Sequence, residues 1–319
     1  MSRISVKIFR VACVLGLIAA GIIIFKLFVS AGNDAEDENS GLNAEKGYNV
    51  YPVELPADLK FAGEKVPVGY FDVKEDLDRE LLINVYWQSH TMILIKRANR
   101  YFPMIERVLR QNGVPEDMKY LAVAESDLSN LVSPQQAVGF WQFVSGTARE
   151  YKLEVNDEVD ERYHIEKSTE AACTFLKESY ERYGSWTMAA ASYNVGRSGL
   201  NEQIQRQKTD YYYDLLLNEE TGRYIYRVLA LKLILSNPEQ FGFYAGDKDL
   251  YPVIPTFEVT VDGSVDDFAD FASKYGINYK VLKIFNPWLR DKMLTNPQNK
   301  TYYIRIPKDG MDSRDLSDI

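Results

Sequence analysis

One carboxylic acid in the stretch YLAVAESDLSNL stands where a helix would bury its side chain. The predicted helix begins at Pro115, a residue type that is favoured in the first helical turn. Met118, Leu121 and Ala122 recur on it as an apolar stripe, and Glu125 takes the next position of this stripe. Burial raises the pKa of a carboxyl group, so Glu125 could donate a proton near neutral pH. A glutamate simply neutralised by a neighbouring arginine would show the same pattern.

A second acid on this helix is not expected to assist Glu125. Asp127 follows two residues later, which is roughly 200° around a helix that turns about 100° per residue. The two carboxylates should therefore point to different sides of the helix. We expect Glu125 to act alone or with an acid from another part of the chain.

Two further stretches place polar side chains beside residues that pack closely. In SPQQAVGFWQF, Gly139 permits close backbone approach, and Gln142 offers both a hydrogen-bond donor and an acceptor. In AAASYNVG, Tyr193 and Asn194 come just before Gly196, where a helix of small residues is predicted to end. Gln142 could equally be a surface amide, and the second stretch could be a core helix with a glycine cap. The residue types alone leave these interpretations open.

The composition of the 319-residue chain excludes some classes of partner and site. Its formal net charge of −9 argues against a polyanion such as DNA or RNA as the main partner. The two histidines, His90 and His164, and the two cysteines, Cys13 and Cys173, fit no metal-binding spacing. We therefore expect neither a metal centre nor a cofactor. Cys173 is predicted to be a small buried hydrophobe without a disulfide partner.

The N-terminal segment, residues 1–31, is predicted to be a signal peptide or a membrane anchor. Three basic residues precede an apolar run over residues 11–25, and the run resumes after Lys26. This order is typical of export, with the positive end kept in the cytoplasm. If Lys26 reaches toward the membrane surface, the run is of marginal transmembrane length, and we favour a retained anchor. Residues 29–31, VSA, could instead be a cleavage site.

Changes in pattern along the remaining chain predict four further segments. Residues 32–72 are acidic and then rich in Pro and Gly, which indicates a flexible linker with an extended lead-in. Residues 73–245 show helical spacing and almost no strand-like alternation, so a mostly α-helical domain is predicted. Residues 246–308 order strand, helix, helix and strand as a small β-α-α-β domain, and 309–319 form a polar tail. Helices are predicted at 94–111, 146–151, 168–183, 186–195 and 219–236.

In combination, these patterns resemble the catalytic domain of the soluble lytic transglycosylases, a lysozyme-like family that cleaves bacterial peptidoglycan, and within it the membrane-bound transglycosylase D type. The resemblance covers about residues 81–244. The motifs that carry it, in the family's order, are ES at 125–126, SPQQAVGFWQFVSGTA from Ser133, DERYHIEKSTEAA from Asp160, AAASYNVG from Ala189 and NEETGRYIYRVLA from Asn218. The C-terminal domain resembles a LysM glycan-binding module through NPWL and YYIRIP, although its usual GDTL start is degenerate as DGSV.

The resemblance implies a peptidoglycan lytic transglycosylase with Glu125 as catalytic acid and then base. Glu125 would protonate the oxygen between N-acetylmuramic acid and N-acetylglucosamine, then deprotonate the C6 hydroxyl of the muramic acid, which closes a 1,6-anhydro ring. The implied partner is a peptidoglycan glycan strand, reached in the periplasm or cell envelope by a chain tethered through its N-terminus. The substrate-binding residues that the resemblance implies are Ser133, Gln142, Tyr193, Asn194, Glu220 and Tyr224.

Two alternatives and two departures from the family pattern accompany this interpretation. In a hydrolase resembling goose-type lysozyme, Glu161, Glu219 or Glu220 would assist an attacking water. A non-catalytic peptidoglycan-binding protein would keep the groove without the reaction. Ser145 stands where the family often has Pro, and Gln136 stands where Gly is common, and both changes concern the geometry of the loop rather than a proposed catalytic group.

Overall fold

The structure is a computed structural model that describes residues 50–315. The predicted membrane anchor, the first part of the linker and the last four residues lie outside this range. Within it, no helix is both long and apolar enough to cross a membrane. The chain divides into two units, Met1–Tyr51 and Pro52–Ile319, and the second contains the elements described below.

The described residues form a mainly α-helical protein with two small antiparallel sheets, which confirms the predicted fold class. The α-helices, in chain order, are α1 Phe71–Tyr86, α2 Gln88–Gln111, α3 Lys119–Ser126, α4 Ser145–Glu150, α5 Ile165–Tyr183, α6 Trp186–Gln207, α7 Glu219–Ser236, α8 Phe268–Ser273 and α9 Tyr279–Phe285. The strands are β1 Lys60–Phe61, β2 Glu64–Lys65, β3 Thr256–Val261 and β4 Tyr302–Pro307.

Side-chain caps and glycines define the ends of several helices. The Asn218 side chain accepts a hydrogen bond from Thr221 N (2.9 Å) at the start of α7, and Ser185 does the same for Met188 N (3.2 Å) at the start of α6. Gly184 ends α5 in the left-handed conformation (φ 65°). Each side-chain cap pairs a backbone N–H group that the helix itself leaves without a partner. The glycine adopts the left-handed conformation that ends a helix, which is unfavourable for residues with a Cβ atom.

The structure corrects the predicted bounds of several helices. α2 begins at Gln88, six residues before the predicted start at Leu94, and α3 begins at Lys119 after a 3₁₀ turn over Glu116–Met118 rather than at Pro115.

α5 begins at Ile165, three residues before the predicted start at Ser168, because the His164 side chain caps it. Ser168 is fully buried inside the helix. The small-residue helix does break at Gly196, as predicted, but the chain re-enters a helix at once and α6 continues to Gln207. Gly196 has φ 76° and ψ 150°, so it makes a kink between two helical segments.

The helix that carries Glu125 lies in the middle of the core. α3 packs against α7, α1 lies along α7, and α5 packs against both α2 and α6. Leu81 of α1, Leu121 of α3 and Trp141 of the following loop have no exposed surface. Cys173 is likewise buried, as predicted, and its thiol is free. Short α3 is therefore held by two longer helices, α7 and α2.

The C-terminal module, residues 256–307, has its own small core. β3 and β4 pair antiparallel from Thr256 opposite Pro307 to Val261 opposite Tyr302, and α8 packs against α9. Phe268 of α8 is fully buried in this core. The order strand, helix, helix, strand agrees with the prediction, and its outer boundaries remain predictions.

The loop between α3 and α4, residues 133–143, turns in close contact with the segment that precedes α5. Val138 pairs with Phe143 as an antiparallel bridge. Gly139 has φ 78°, and a Cβ there would lie 2.1 Å from the carbonyl oxygen of Arg162. Gln136, at a position where the resemblance leads us to expect Gly, has φ 61°, so the loop keeps a left-handed turn with a side chain present.

Replacing Gly139 with Ala should destabilise the protein because both the left-handed φ and the contact with Arg162 resist a Cβ atom. We expect the free energy of unfolding to fall by about 3 kcal/mol, measured by urea denaturation. Gly146→Ala in α4 is the matched control, since its Cβ would meet no atom within 4 Å. It should leave stability unchanged or raise it by about 1 kcal/mol. Equal effects of the two substitutions would contradict the close approach at Gly139.

Candidate active site

Glu125 lies in the last turn of α3, where its carboxyl group meets α7. Tyr224, which is 2% exposed, donates a hydrogen bond from its hydroxyl to Glu125 Oε1 (2.7 Å). The Glu125 side chain keeps a partly exposed position while protein surrounds most of it. The predicted placement on an apolar stripe is confirmed, since Leu121 and Ala122 of the same stripe are fully buried. A buried carboxyl with one open side is suited to proton exchange with a bound molecule.

Burial raises the pKa of Glu125 from its usual value to about 7. The hydrogen bond from Tyr224 and the positive charge of Arg227 favour the carboxylate and oppose this rise, whereas the negative charge of Glu220 adds to it. At neutral pH the protonated and ionised forms of Glu125 are therefore comparable in population. A group in this state can both donate and accept a proton.

Asp127 faces away from Glu125, as predicted, although for a different local reason. It is the left-handed residue that ends α3 (φ 54°) rather than a residue within the helix. Its Oδ2 lies 3.0 Å from His90 Nε2 on α2, and Arg97 donates to its carbonyl oxygen (2.9 Å). Asp127 therefore belongs to the contact between α3 and α2, and Glu125 belongs to the contact between α3 and α7.

Tyr193 connects α6 to the loop after α3. Its hydroxyl donates to the carbonyl oxygen of Trp141 (2.6 Å), and its ring packs edge-on against Phe143. Burial, followed by the nearby charge of Glu125, raises the pKa of Tyr193 well above its usual value. Tyr193 thus lies near Glu125 as a neutral hydroxyl. Asn194, the next residue, is partly exposed.

Ser133 and Gln142 both shape the backbone of the 133–143 loop. Ser133 Oγ accepts a hydrogen bond from Ala137 N (3.0 Å), which closes the first turn of the loop. Gln142 has φ 49°, and its Nε2 donates to the carbonyl oxygens of Gly139 (2.8 Å) and Leu131 (3.2 Å). Any ligand contact of Gln142 would therefore use its Oε1 atom. The roles of both residues in sugar binding remain predictions.

The other acids proposed as partners for Glu125 differ sharply in placement. Glu161 is buried, with Oε2 accepting from Glu154 N (2.8 Å) and Oε1 paired with Lys167, so both of its oxygens are engaged. Glu219 is 86% exposed and lies 3.7 Å from Arg223. Glu220 is exposed in the first turn of α7, and its charge contributes to the raised pKa of Glu125. Of these three acids, the structure brings Glu220 into electrostatic contact with Glu125.

Two charged groups that are connected to Glu125 through Arg227 were not singled out from the sequence: Arg227 itself, and Glu80. Glu80 of α1 is 1% exposed and accepts a hydrogen bond from Arg223 Nε (2.7 Å), and Arg227 Nε lies 3.8 Å from its second oxygen. Arg227 therefore interacts with two carboxyl groups, those of Glu80 and Glu125. The signal that identified Glu125 could have identified Glu80, because it lies between Leu77 and Leu81 on the buried stripe of α1.

Ser126 ties the helix that carries Glu125 to the 133–143 loop. Its buried Oγ lies 2.9 Å from the carbonyl oxygen of Phe140. Trp141, the next residue, donates from its indole nitrogen to Thr169 Oγ1 of α5 (2.8 Å). The ES motif thus combines a candidate proton donor with the residue that fixes the neighbouring loop.

Comparisons with known proteins identify two domains in the chain. Residues 102–215 match the family model of the transglycosylase SLT domain, and residues 257–310 match the C-terminal LysM-like domain of soluble lytic transglycosylases. The chain is 26% identical over 259 residues to the membrane-bound lytic murein transglycosylase D of Escherichia coli strain K12. The match to the protein of the same name from E. coli O6:H1 strain CFT073 has the same extent.

These matches confirm the resemblance that the sequence motifs indicated. The aligned region covers 78% of this chain and 55% of each relative, so the chain spans about half the length of the curated relatives it matches. Tyr224 and Arg227, which contact or influence Glu125, lie beyond the end of the SLT match at residue 215.

Replacing Glu125 with Gln should stabilise the protein at alkaline pH. The folded pKa of about 7 exceeds the ordinary value of 4.5, so the folded state binds the proton more tightly and wild-type stability falls as pH rises from 4.5 to 7. Above pH 7 the ionised carboxylate should cost the wild type about 3 kcal/mol, which Gln avoids. Urea denaturation at pH 5 and pH 8 measures this difference. A variant with the same advantage at both pH values would contradict the shifted pKa.

Replacing Tyr224 with Phe should raise the pKa of Glu125 above 7, since the lost hydrogen bond favours the carboxylate. The side-chain carboxyl carbon of Glu125, followed by NMR through a pH titration, reports the change. Tyr120→Phe is the matched control, because its hydroxyl contacts Ser236 Oγ (2.9 Å) at the other end of the contact between α3 and α7. An unchanged pKa in Tyr224→Phe would show that its hydroxyl does not stabilise the ionised form.

Proposed function

We propose that this chain is a peptidoglycan lytic transglycosylase that uses Glu125 as its catalytic acid and base. The observation that carries the proposal is the Glu125 carboxyl group, buried between α3 and α7 with a pKa raised to about 7 and hydrogen-bonded by Tyr224. It lies within the residues that match the transglycosylase SLT domain. The names of the relatives support murein, the peptidoglycan of the bacterial wall, as the substrate class.

In the first step, protonated Glu125 donates its proton to the oxygen that joins N-acetylmuramic acid to N-acetylglucosamine. The bond between this oxygen and C1 of the muramic acid breaks, and the bonding electrons leave with the oxygen. Positive charge then develops at C1 and the ring oxygen. The new Glu125 carboxylate is stabilised by the Tyr224 hydroxyl and by the charge of Arg227.

In the second step, the Glu125 carboxylate takes the proton from the C6 hydroxyl of the same muramic acid. The C6 oxygen attacks C1 and closes a 1,6-anhydro ring, and Glu125 is protonated again for the next cycle. No water is consumed, so a second carboxylate for activating water is not needed. A pKa near 7 suits both halves of the reaction, because one group must give and then accept the proton.

The remaining substrate-binding residues are proposed to line the groove beside Glu125. Tyr193 supports this assignment through its proximity to Glu125, and Glu220 through its charge. Ser133 and Gln142 would act through the shape of the loop that they hold, and Asn194 would offer its partly exposed amide. Tyr224 would act chiefly on Glu125 itself.

The proposed location is the periplasmic face of the cell envelope, with the N-terminal segment as a membrane tether. The support is the basic-then-apolar order of residues 1–31 and the name of the relatives, which describes those proteins as membrane-bound. The proposed partner is a glycan strand of peptidoglycan. The LysM-like module is a candidate for additional contacts with that strand.

The decisive test is the reaction of purified full-length protein with peptidoglycan, followed by mass spectrometry of the soluble products. We expect anhydro products, lighter by one water molecule than those of a hydrolase. Glu125→Gln should lower the rate at least about a hundredfold, since it keeps the shape but cannot exchange the proton. Asp127→Asn is the matched control, because its carboxylate faces α2, and it should retain cleavage.

Other outcomes would replace the proposal with a specific alternative. Products with hydrated reducing ends would indicate a hydrolase, and Glu220 would then be the first candidate for the group that activates water. Binding of wall material without cleavage, equal for the wild type and Glu125→Gln, would indicate a non-catalytic binding protein. Near wild-type cleavage by Glu125→Gln would remove Glu125 from the mechanism.

A further inference from the structure

Residues 154–163, which lead into α5, are joined to the C-terminal module by backbone hydrogen bonds. Asp160 N donates to the carbonyl oxygen of Trp288 (2.8 Å), and Arg290 N donates to that of Glu158 (2.7 Å). We call this contact between residues 154–163 and the module the seam. A seam built from backbone hydrogen bonds restrains the segment more firmly than side-chain contacts at a surface would.

Side chains reinforce the seam. Val159 and Leu289 lie opposite each other in an antiparallel backbone bridge, and both side chains are buried. The Tyr302 hydroxyl of β4 donates to Glu154 Oε2 (3.0 Å). The hydrophobic core of the module also includes Val138, which belongs to the 133–143 loop. The module therefore contacts both the 133–143 loop and residues 154–163.

Arg162 connects residues 154–163 to the 133–143 loop. Its Nε and Nη2 donate to the two carboxylate oxygens of Asp160 (2.9 and 2.8 Å), and both side chains are nearly buried. Its Nη1 donates to the carbonyl oxygens of Gln136 (3.1 Å) and Phe143 (3.2 Å). One guanidinium thus holds two separate points of the loop, while its own orientation is fixed by Asp160.

We propose that Arg162 is a positioning residue for the 133–143 loop, and that the C-terminal module, through the seam, is part of the scaffold of the active site. The effect on cleavage rests on the proposed function, because the loop then forms one wall of the catalytic groove. The module would consequently contribute to the reaction whether or not it binds glycan.

The chemistry of Arg162 explains why another residue would not replace it. Its planar guanidinium presents donors in a fixed fork, so it can satisfy Asp160 and two carbonyl groups together. Without it, those two carbonyls would lose a partner and the buried Asp160 carboxylate would be left without its counter-ion. A lysine is a flexible point charge that could pair with Asp160 but could not hold the whole set.

The test compares full-length variants by two independent readouts. One is the kcat and KM of peptidoglycan cleavage, and the other is amide hydrogen exchange in residues 133–143, where Val138 N donates to the Phe143 carbonyl (3.2 Å). Arg162→Gln should speed exchange in this loop and lower kcat at least about tenfold, because a small displacement near the reacting groups is costly. Arg162→Lys should recover part of both losses. KM should change less than kcat.

The contribution of the module is tested with a matched pair of tyrosines on β4. Tyr302→Phe removes the hydroxyl at the seam, and we expect loop exchange to increase by about fivefold, the effect of one hydrogen bond. Tyr303→Phe alters the neighbouring residue, which is 52% exposed, and should leave exchange and kcat unchanged. Identical behaviour of the two variants would overturn the role of the module.

Arg162 itself would be only a structural residue if Arg162→Gln lowers the thermal midpoint but leaves loop exchange and kcat per folded molecule unchanged. If Arg162→Gln does not fold, Arg162→Lys decides by the same two readouts, and wild-type values for both would overturn the proposal. A wild type that cleaves no peptidoglycan would refute the proposed function instead. Loop exchange would then still test the positioning role.

Discussion

Burying the Glu125 carboxyl group between α3 and α7 costs free energy, and the interactions with neighbouring residues offset this cost only in part. Desolvation raises its pKa to about 7, and Tyr224 and Arg227 limit the rise by favouring the carboxylate. Arg227 is itself shared with the fully buried Glu80 of α1. The environment of one carboxyl group therefore depends on the packing of three helices. The desolvation that weakens the fold at alkaline pH also keeps Glu125 partly protonated at neutral pH, which the proposed reaction needs.

The loop beside Glu125 is held by contacts that arrive from three directions. Gln136, Gly139 and Gln142 all have positive φ, a conformation that side-chain-bearing residues adopt at a cost. Ser126 contacts the loop from α3, Tyr193 from α6 and Arg162 from the segment before α5. These partners explain how an unusual backbone persists, because several independent hydrogen bonds would have to break before it could relax. Of the two departures from the family pattern, Gln136 lies within this network, since its carbonyl oxygen accepts from Arg162, and Ser145 begins α4.

The parts of the fold that could be predicted are those that depend on residues close together in the sequence. The apolar stripe through Leu121 and Ala122 located α3, and the break at Gly196 followed from a residue with no Cβ. The start of α5 was missed because His164, an uncommon cap, takes the place that Ser168 was expected to fill. Asp127 was expected on the far side of a helix, and it lies there as the left-handed residue that ends it.

The sequence by itself determined the fold class, the family resemblance and the candidacy of Glu125, because these depend on periodicity and on short motifs. Only the tertiary structure showed that Tyr224 donates to Glu125 and that Arg227 acts on both Glu125 and Glu80. It also showed that Arg162 binds the loop, while Asp160 binds the C-terminal module. These contacts join residues far apart in the chain, and no local pattern encodes which helix faces which. The pKa of Glu125 depends on this arrangement, since burial and neighbouring charges exist only once the helices have packed.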